Sequence, residues 1–158
     1  MKKAVSILLI EDGETFAVLL KEWLRISVLY QFDHVHVDTL SAAKSVLSQR
    51  QFDLIVLDLM LPNGEGIRLV EQVGALACGK PIVVCTILEG EELEVEAIRK
   101  RASRFISKKG LDGQRFLHEL RCALAAYEGQ QACQPAQHAI KQVREVLVAA
   151  KEAIDIPK

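Results

Sequence analysis

The feature that most constrains the fold is a fivefold alternation of short apolar runs with segments whose apolar residues recur at helical spacing. Apart from Ser6, Val5 to Ile10 is apolar and rich in branched residues, as expected for a strand buried on both faces. Phe16, Leu19, Leu20, Trp23 and Leu24 then follow at helical spacing and predict one apolar stripe. Val35 and Val37 suggest a short second strand, and Ser41 is placed to cap a helix carrying Ala43, Val46 and Leu47. Leu54 to Leu57 predicts a third strand ending at Asp58. Pro62, Asn63, Gly64 and Gly66 mark a turn before a helix with Leu69, Val70, Val73 and Leu76. Gly79-Lys80-Pro81 ends it, and Ile82 to Cys85 is the fourth run. A helix over about 91–102, a strand at Phe105-Ile106-Ser107 and a helix over about 113–127 complete the pattern.

Strands and helices in strict alternation imply a doubly wound α/β fold, a five-stranded parallel sheet covered by helices on both faces. In such sheets function gathers at the carboxyl ends of the strands. The residues at those ends here are Glu11 and Asp12, Asp58, Thr86 and Lys108. Three carboxylates drawn together would repel one another unless a cation joined them. A hard, oxygen-seeking ion meets that need, and magnesium suits a site with few carboxylates and open water positions. A lysine and a hydroxyl beside them can hold the oxygens of a phosphoryl group, and an aspartate is a known nucleophile towards phosphorus.

Four segments carry a family resemblance: ILLIED (7–12), DLIVLDLMLPNGEG (53–66), PIVVCT (81–86) and RASRFISK (101–108). In this order and spacing they resemble the receiver domains of two-component response regulators, over about residues 4–127. The resemblance implies a flavodoxin-like (β/α)5 fold with Asp58 as phosphoacceptor. It implies Mg2+ held by Glu11, Asp12, Asp58 and the backbone carbonyl of Met60. It further implies Thr86 as the hydroxyl that turns towards the phosphoryl group, Lys108 as the ammonium that pairs with it, and Phe105 as a switch aromatic. A sensor histidine kinase or phosphotransfer protein would supply the phosphoryl group. The chain would catalyse its own phosphotransfer and dephosphorylation without being a conventional enzyme. Three positions depart from the family pattern: Lys109 replaces a proline, Ile87 stands where a small residue is usual, and Gly13 replaces a third acid.

Several other readings are bland. Glutamates 89, 91, 92, 94 and 96, followed by Arg99, Lys100 and Arg101, complement a helix macrodipole, although they lie on the family's usual output surface. His34 and His36 share a strand face without a third ligand, so no metal is expected there. His118 and His138 are isolated and do not read as phosphohistidines. Cys78, Cys85, Cys122 and Cys133 have no ligand spacing and read as reduced thiols, with Cys85 in the core.

A net charge of −1 argues against direct DNA binding, and no run is long enough to cross a membrane, so a cytoplasmic protein is expected. Residues 1–128 are read as the receiver domain, 129–135 as a linker and 136–158 as a C-terminal helical extension. Ile140, Val143, Leu147, Ala150 and Ile154 form an apolar seam on that extension, which must pack on the domain, on a second copy in a homodimer, or on a partner. The expected function is a stand-alone response regulator acting on a downstream protein target. The alternatives are a phosphorelay intermediate and an interaction module independent of phosphorylation.

Overall fold

A computed structural model describes residues 1–63 and 66–154, with the side chains of 132–141 and 152–154 outside the description. Among the described residues there are five strands, β1 (Lys3–Ile10), β2 (Tyr30–Val37), β3 (Leu54–Leu57), β4 (Ile82–Thr86) and β5 (Arg104–Ser107). Five helices alternate with them, α1 (Glu14–Arg25), α2 (Leu40–Gln49), α3 (Arg68–Gly74), α4 (Glu91–Arg99) and α5 (Gly113–Ile154). The sheet order is β2-β1-β3-β4-β5 and every pairing is parallel. The doubly wound parallel sheet expected from the alternation is therefore the observed one.

The two-residue period of a strand explains why Ile7–Ile10 and Leu54–Leu57 are apolar throughout. Leu8, Ile10, Ile55 and Leu57 enter one core with Ala43 of α2, Leu69, Val70 and Val73 of α3, and Ala97 of α4. Their neighbours Ile7, Leu9, Leu54 and Val56 enter a second core with Leu20 and Leu24 of α1 and Phe116 and Leu120 of α5. Each central strand thus needs apolar side chains on both faces, and no polar residue interrupts β3.

Local readings change in three places. The cap of α2 is Thr39, not Ser41: Thr39 is extended and its Oγ1 accepts the Ala42 N–H at 3.1 Å, while Ser41 lies inside the helix. Leu19 is exposed although the spacing suggested a stripe residue. At about 100° per residue it falls outside the arc that buries Ala17, Leu20 and Leu24. The second strand is eight residues long, well beyond the Val35–Val37 pair.

By compactness the chain divides into Met1–Leu124 and Ala125–Lys158. Residues 129–135, the expected linker, have helical backbone although Gly129 and Pro135 are poor helix formers. Within the second unit Val143 and Leu147 of the predicted seam are exposed. The side chains of Ile140 and Ile154 lie outside the described residues, as do those of His138 and Cys133 and the turn residue Gly64. Among the described residues no helix is long and apolar enough to cross a membrane.

Candidate functional site

Register brings the predicted residues to one rim. Ile10 pairs with Val37 and with Leu57, so the residues after β1 and β3, Glu11 and Asp58, emerge side by side. The N–H of Asp58 donates to the Ile10 carbonyl at 3.0 Å and fixes that step. Thr86 ends β4, and the N–H of Lys108 donates to its carbonyl at 2.9 Å, which draws the loop after β5 to the same edge.

The carboxylates of Glu11, Asp12 and Asp58 each place an oxygen within 4.8 Å of the others. Glu11 and Asp58 are buried and Asp12 is exposed. The Lys108 ammonium lies between the two buried acids, 2.7 Å from Glu11 Oε2 and 2.9 Å from Asp58 Oδ2. Burial pushes the Glu11 carboxyl above the ordinary carboxylate range and the Asp58 charge adds to this. The hydrogen bonds from Lys108 and from the Gly13 amide act the other way without cancelling it. Burial pulls Lys108 down, but its bonds to Glu11 and Asp58 outweigh that and hold the ammonium above its usual range. One lysine against three acids leaves the rim with excess negative charge, and the acidic oxygens suit a hard divalent cation such as Mg2+.

The backbone completes the rim. The N–H of Met60 donates to Asp58 Oδ1 at 3.0 Å, and the Met60 side chain is exposed. Gly13 has a specific role, since its N–H donates to Glu11 Oε1 at 3.0 Å and a Cβ there would lie 3.0 Å from the same oxygen. Thr86 is fully buried and its Oγ1 accepts the Leu88 N–H at 3.3 Å, so its hydroxyl is engaged within its own turn. Phe105 is half-buried against the core that holds Leu57 and Val84. Ile87 is 60% exposed beside Thr86. The peptide bond into Lys109 is trans, and the Lys109 N–H donates to Ser107 Oγ at 3.2 Å.

Two contacts had no signal in the sequence. His36 Nε2 lies 2.7 Å from the Glu11 carbonyl oxygen. A carbonyl only accepts, so this ring nitrogen carries the proton and the imidazole braces the peptide between the two residues of the acidic pair. The Lys108 ammonium also sits 4.4 Å from the centre of the Phe16 ring. Knowing that β2 extends to Val37 in register with β1 would have exposed the first contact. No periodicity argument yields the second. His34 is exposed, and His118 lies on α5 bonded to Arg121 and Cys122.

A parallel sheet of order 2-1-3-4-5 with an acidic rim and a lysine defines a class of signalling domain. The chain belongs to the response regulator receiver domain family, matched over residues 7–121. It is 32% identical over 107 residues to the autoinducer 2 sensor kinase/phosphatase LuxQ of Vibrio vulnificus, covering 67% of this chain and 12% of LuxQ. It is 24% identical over 107 residues to the chemotaxis protein CheY of Halobacterium salinarum, covering 66% of this chain and 85% of CheY. The crystal structure of a CheY-like receiver domain protein from Methanospirillum hungatei superposes with a TM-score of 0.69. That match is 22% identical and covers 82% of this chain and 99% of the other. The chain thus spans only a small part of LuxQ, and its likeness to the solved structure is one of fold.

Proposed function

We propose that this protein is a phosphorylation switch of two-component signalling, in which Asp58 accepts a phosphoryl group and the phosphorylated form binds a downstream protein. The observation that carries the reading is the meeting of Glu11, Asp12 and Asp58 within 4.8 Å, with the Lys108 ammonium 2.9 Å from Asp58. A structural acid at a strand end needs no such company.

In the transfer, an Asp58 carboxylate oxygen bonds to phosphorus as the P–N bond of a kinase or phosphotransfer-protein phosphohistidine breaks, and the imidazole leaves with the electron pair. Mg2+, held by Glu11, Asp12, Asp58 and the Met60 carbonyl, would neutralise charge on the phosphoryl oxygens. The Met60 N–H and Lys108 orient the Asp58 carboxylate before attack, which is where such sites derive most of their rate. Thr86 would give up the Leu88 N–H to turn its hydroxyl towards a phosphoryl oxygen. Phe105, half-buried on the adjacent strand, would follow that movement as the switch. Hydrolysis would return Asp58 to its free form, and the exposed Ile87 side chain, next to Thr86 in the chain, would narrow the approach of water.

Action in the cytoplasm on a protein target, without direct DNA contact, fits the balanced charge. The test is to add Mg2+ with a small phosphodonor such as acetyl phosphate and follow intact mass. A labile phosphoryl adduct that needs Mg2+ and is absent from Asp58→Asn is expected. An adduct that survives that substitution, or none at all, defeats the reading.

A further inference from the structure

Among the described residues the Lys108 ammonium has an aromatic partner beside its two anions. Its Nζ bonds Glu11 and Asp58 and lies 4.4 Å from the Phe16 ring centre, with the side chain 11% exposed. Phe16 is itself fixed. Its ring meets Trp23 edge-on at 6.0 Å, and Trp23 packs on Phe116 at 5.6 Å. Gly113 lies close against the Trp23 indole, since a Cβ there would lie 2.6 Å from Trp23 Cδ1. The ring under the lysine is therefore held in place by α1 and the first turn of α5.

A divalent cation taking the Glu11 carboxylate removes one of the lysine's anionic partners and adds repulsion between two cations. The aromatic face is an attractive neighbour that metal binding leaves unchanged, because a ring quadrupole attracts a cation without being a metal ligand. We propose that Phe16 is a positioning residue that keeps the Lys108 ammonium over Asp58 once metal is bound, so that it meets the incoming phosphoryl oxygens. The inference rests on the phosphoacceptor reading of Asp58. It gives α1 a part in the chemistry that neither the acidic rim nor the switch residues supply.

The experiment separates metal binding from phosphoryl binding. Mg2+ affinity is measured by calorimetry, and beryllofluoride affinity, standing in for the phosphoryl group, by fluorine NMR at saturating Mg2+. Phe16→Leu keeps apolar bulk without the ring face. Replacing Phe16 with 3,4,5-trifluorophenylalanine keeps the shape while withdrawing electron density, and covers the case in which the leucine variant fails to fold. Both should weaken beryllofluoride binding about fivefold, the range for a partly desolvated cation–ring contact, with Mg2+ affinity within about twofold of wild type. Phe16→Tyr should behave as wild type. Unchanged beryllofluoride affinity in the fluorinated protein, or a parallel loss of Mg2+ affinity, overturns the proposal while leaving Asp58 as acceptor. Failure of the wild-type protein to bind beryllofluoride removes the acceptor reading and this inference with it.

Discussion

Asp53 and Asp58 flank the same four-residue strand, and their neighbours differ in kind. Asp53, at the amino end of β3, accepts the Ser6 N–H at 2.8 Å and the Ser6 hydroxyl at 3.1 Å. Its own N–H donates to the Ser6 carbonyl at 2.9 Å. Those partners are neutral and belong to one neighbouring residue, so the acid is a clasp between β1 and β3. Asp58, at the carboxyl end, faces two further acids, one lysine and a backbone amide. One carboxylate satisfies the fold, while the other is held among charges that do not cancel. The residue type is the same at both ends, and the company it keeps decides what it can do.

The largest effect expected is on chemistry at the carboxyl end. Asp58→Asn should reduce phosphoryl adduct formation to below about 1% of wild type, since the amide lacks the nucleophilic oxygen. Its stability should stay level or rise by up to about 1 kcal/mol because a like-charge neighbour of Glu11 is removed. Denaturant unfolding beside intact mass checks both halves. A variant that loses the adduct and several kcal/mol together would show that Asp58, too, is a clasp.

Lys108→Ala comes next. It leaves Glu11 and Asp58 buried without their shared cation, and a loss of about 2–4 kcal/mol is expected in chelator. Millimolar Mg2+ should restore part of that stability, because a ligand that binds only the folded state shifts the equilibrium towards it. Thermal unfolding with and without Mg2+ reads the difference, and a variant indifferent to the metal would argue against the acidic rim as its site.

At the other end, Asp53→Ala should cost about 1–3 kcal/mol by leaving the Ser6 N–H and hydroxyl without their acceptor. The yield of phosphoryl adduct at Asp58 should be unchanged once the protein is folded. Loss of the adduct at full folding would break the contrast between the two aspartates.

The smallest effect is on Cys85, whose thiol burial pushes up from 9.0 to about 12, with the Lys108 charge a lesser, opposing influence. The folded state holds the proton more tightly than the unfolded chain. The stability this contributes is present in full below about pH 9 and is lost as pH rises towards 12. Alkylation at pH 8 should therefore modify exposed Cys78 quickly and Cys85 only as fast as the protein unfolds, as peptide mass mapping would show.

The sequence alone determined the sheet, because strands buried on both faces need unbroken apolar runs such as Leu54–Leu57, and loops between them need their glycines and prolines. It also placed Glu11, Asp12, Asp58, Thr86 and Lys108 at strand ends, where a parallel fold gathers its chemistry. Local rules failed where two partners compete for one role. Thr39 took the cap of α2 from Ser41 because the chain is extended at Thr39. Leu19 was left outside because helix phase, and not apolarity, sets what is buried.

Only the tertiary structure decided which groups touch. His36 reaches the Glu11 carbonyl because Leu9 and His36 are in register, and Phe16 lies under Lys108 because α1 and the loop after β5 meet. Those contacts join residues far apart in the chain, and periodicity carries no information about distance between elements. An acid at a strand end can be written in a sequence. The excess negative charge that makes Asp58 differ from Asp53 arises only when three separate segments, those of Glu11-Asp12, Asp58 and Lys108, are folded to within a few ångströms of one another.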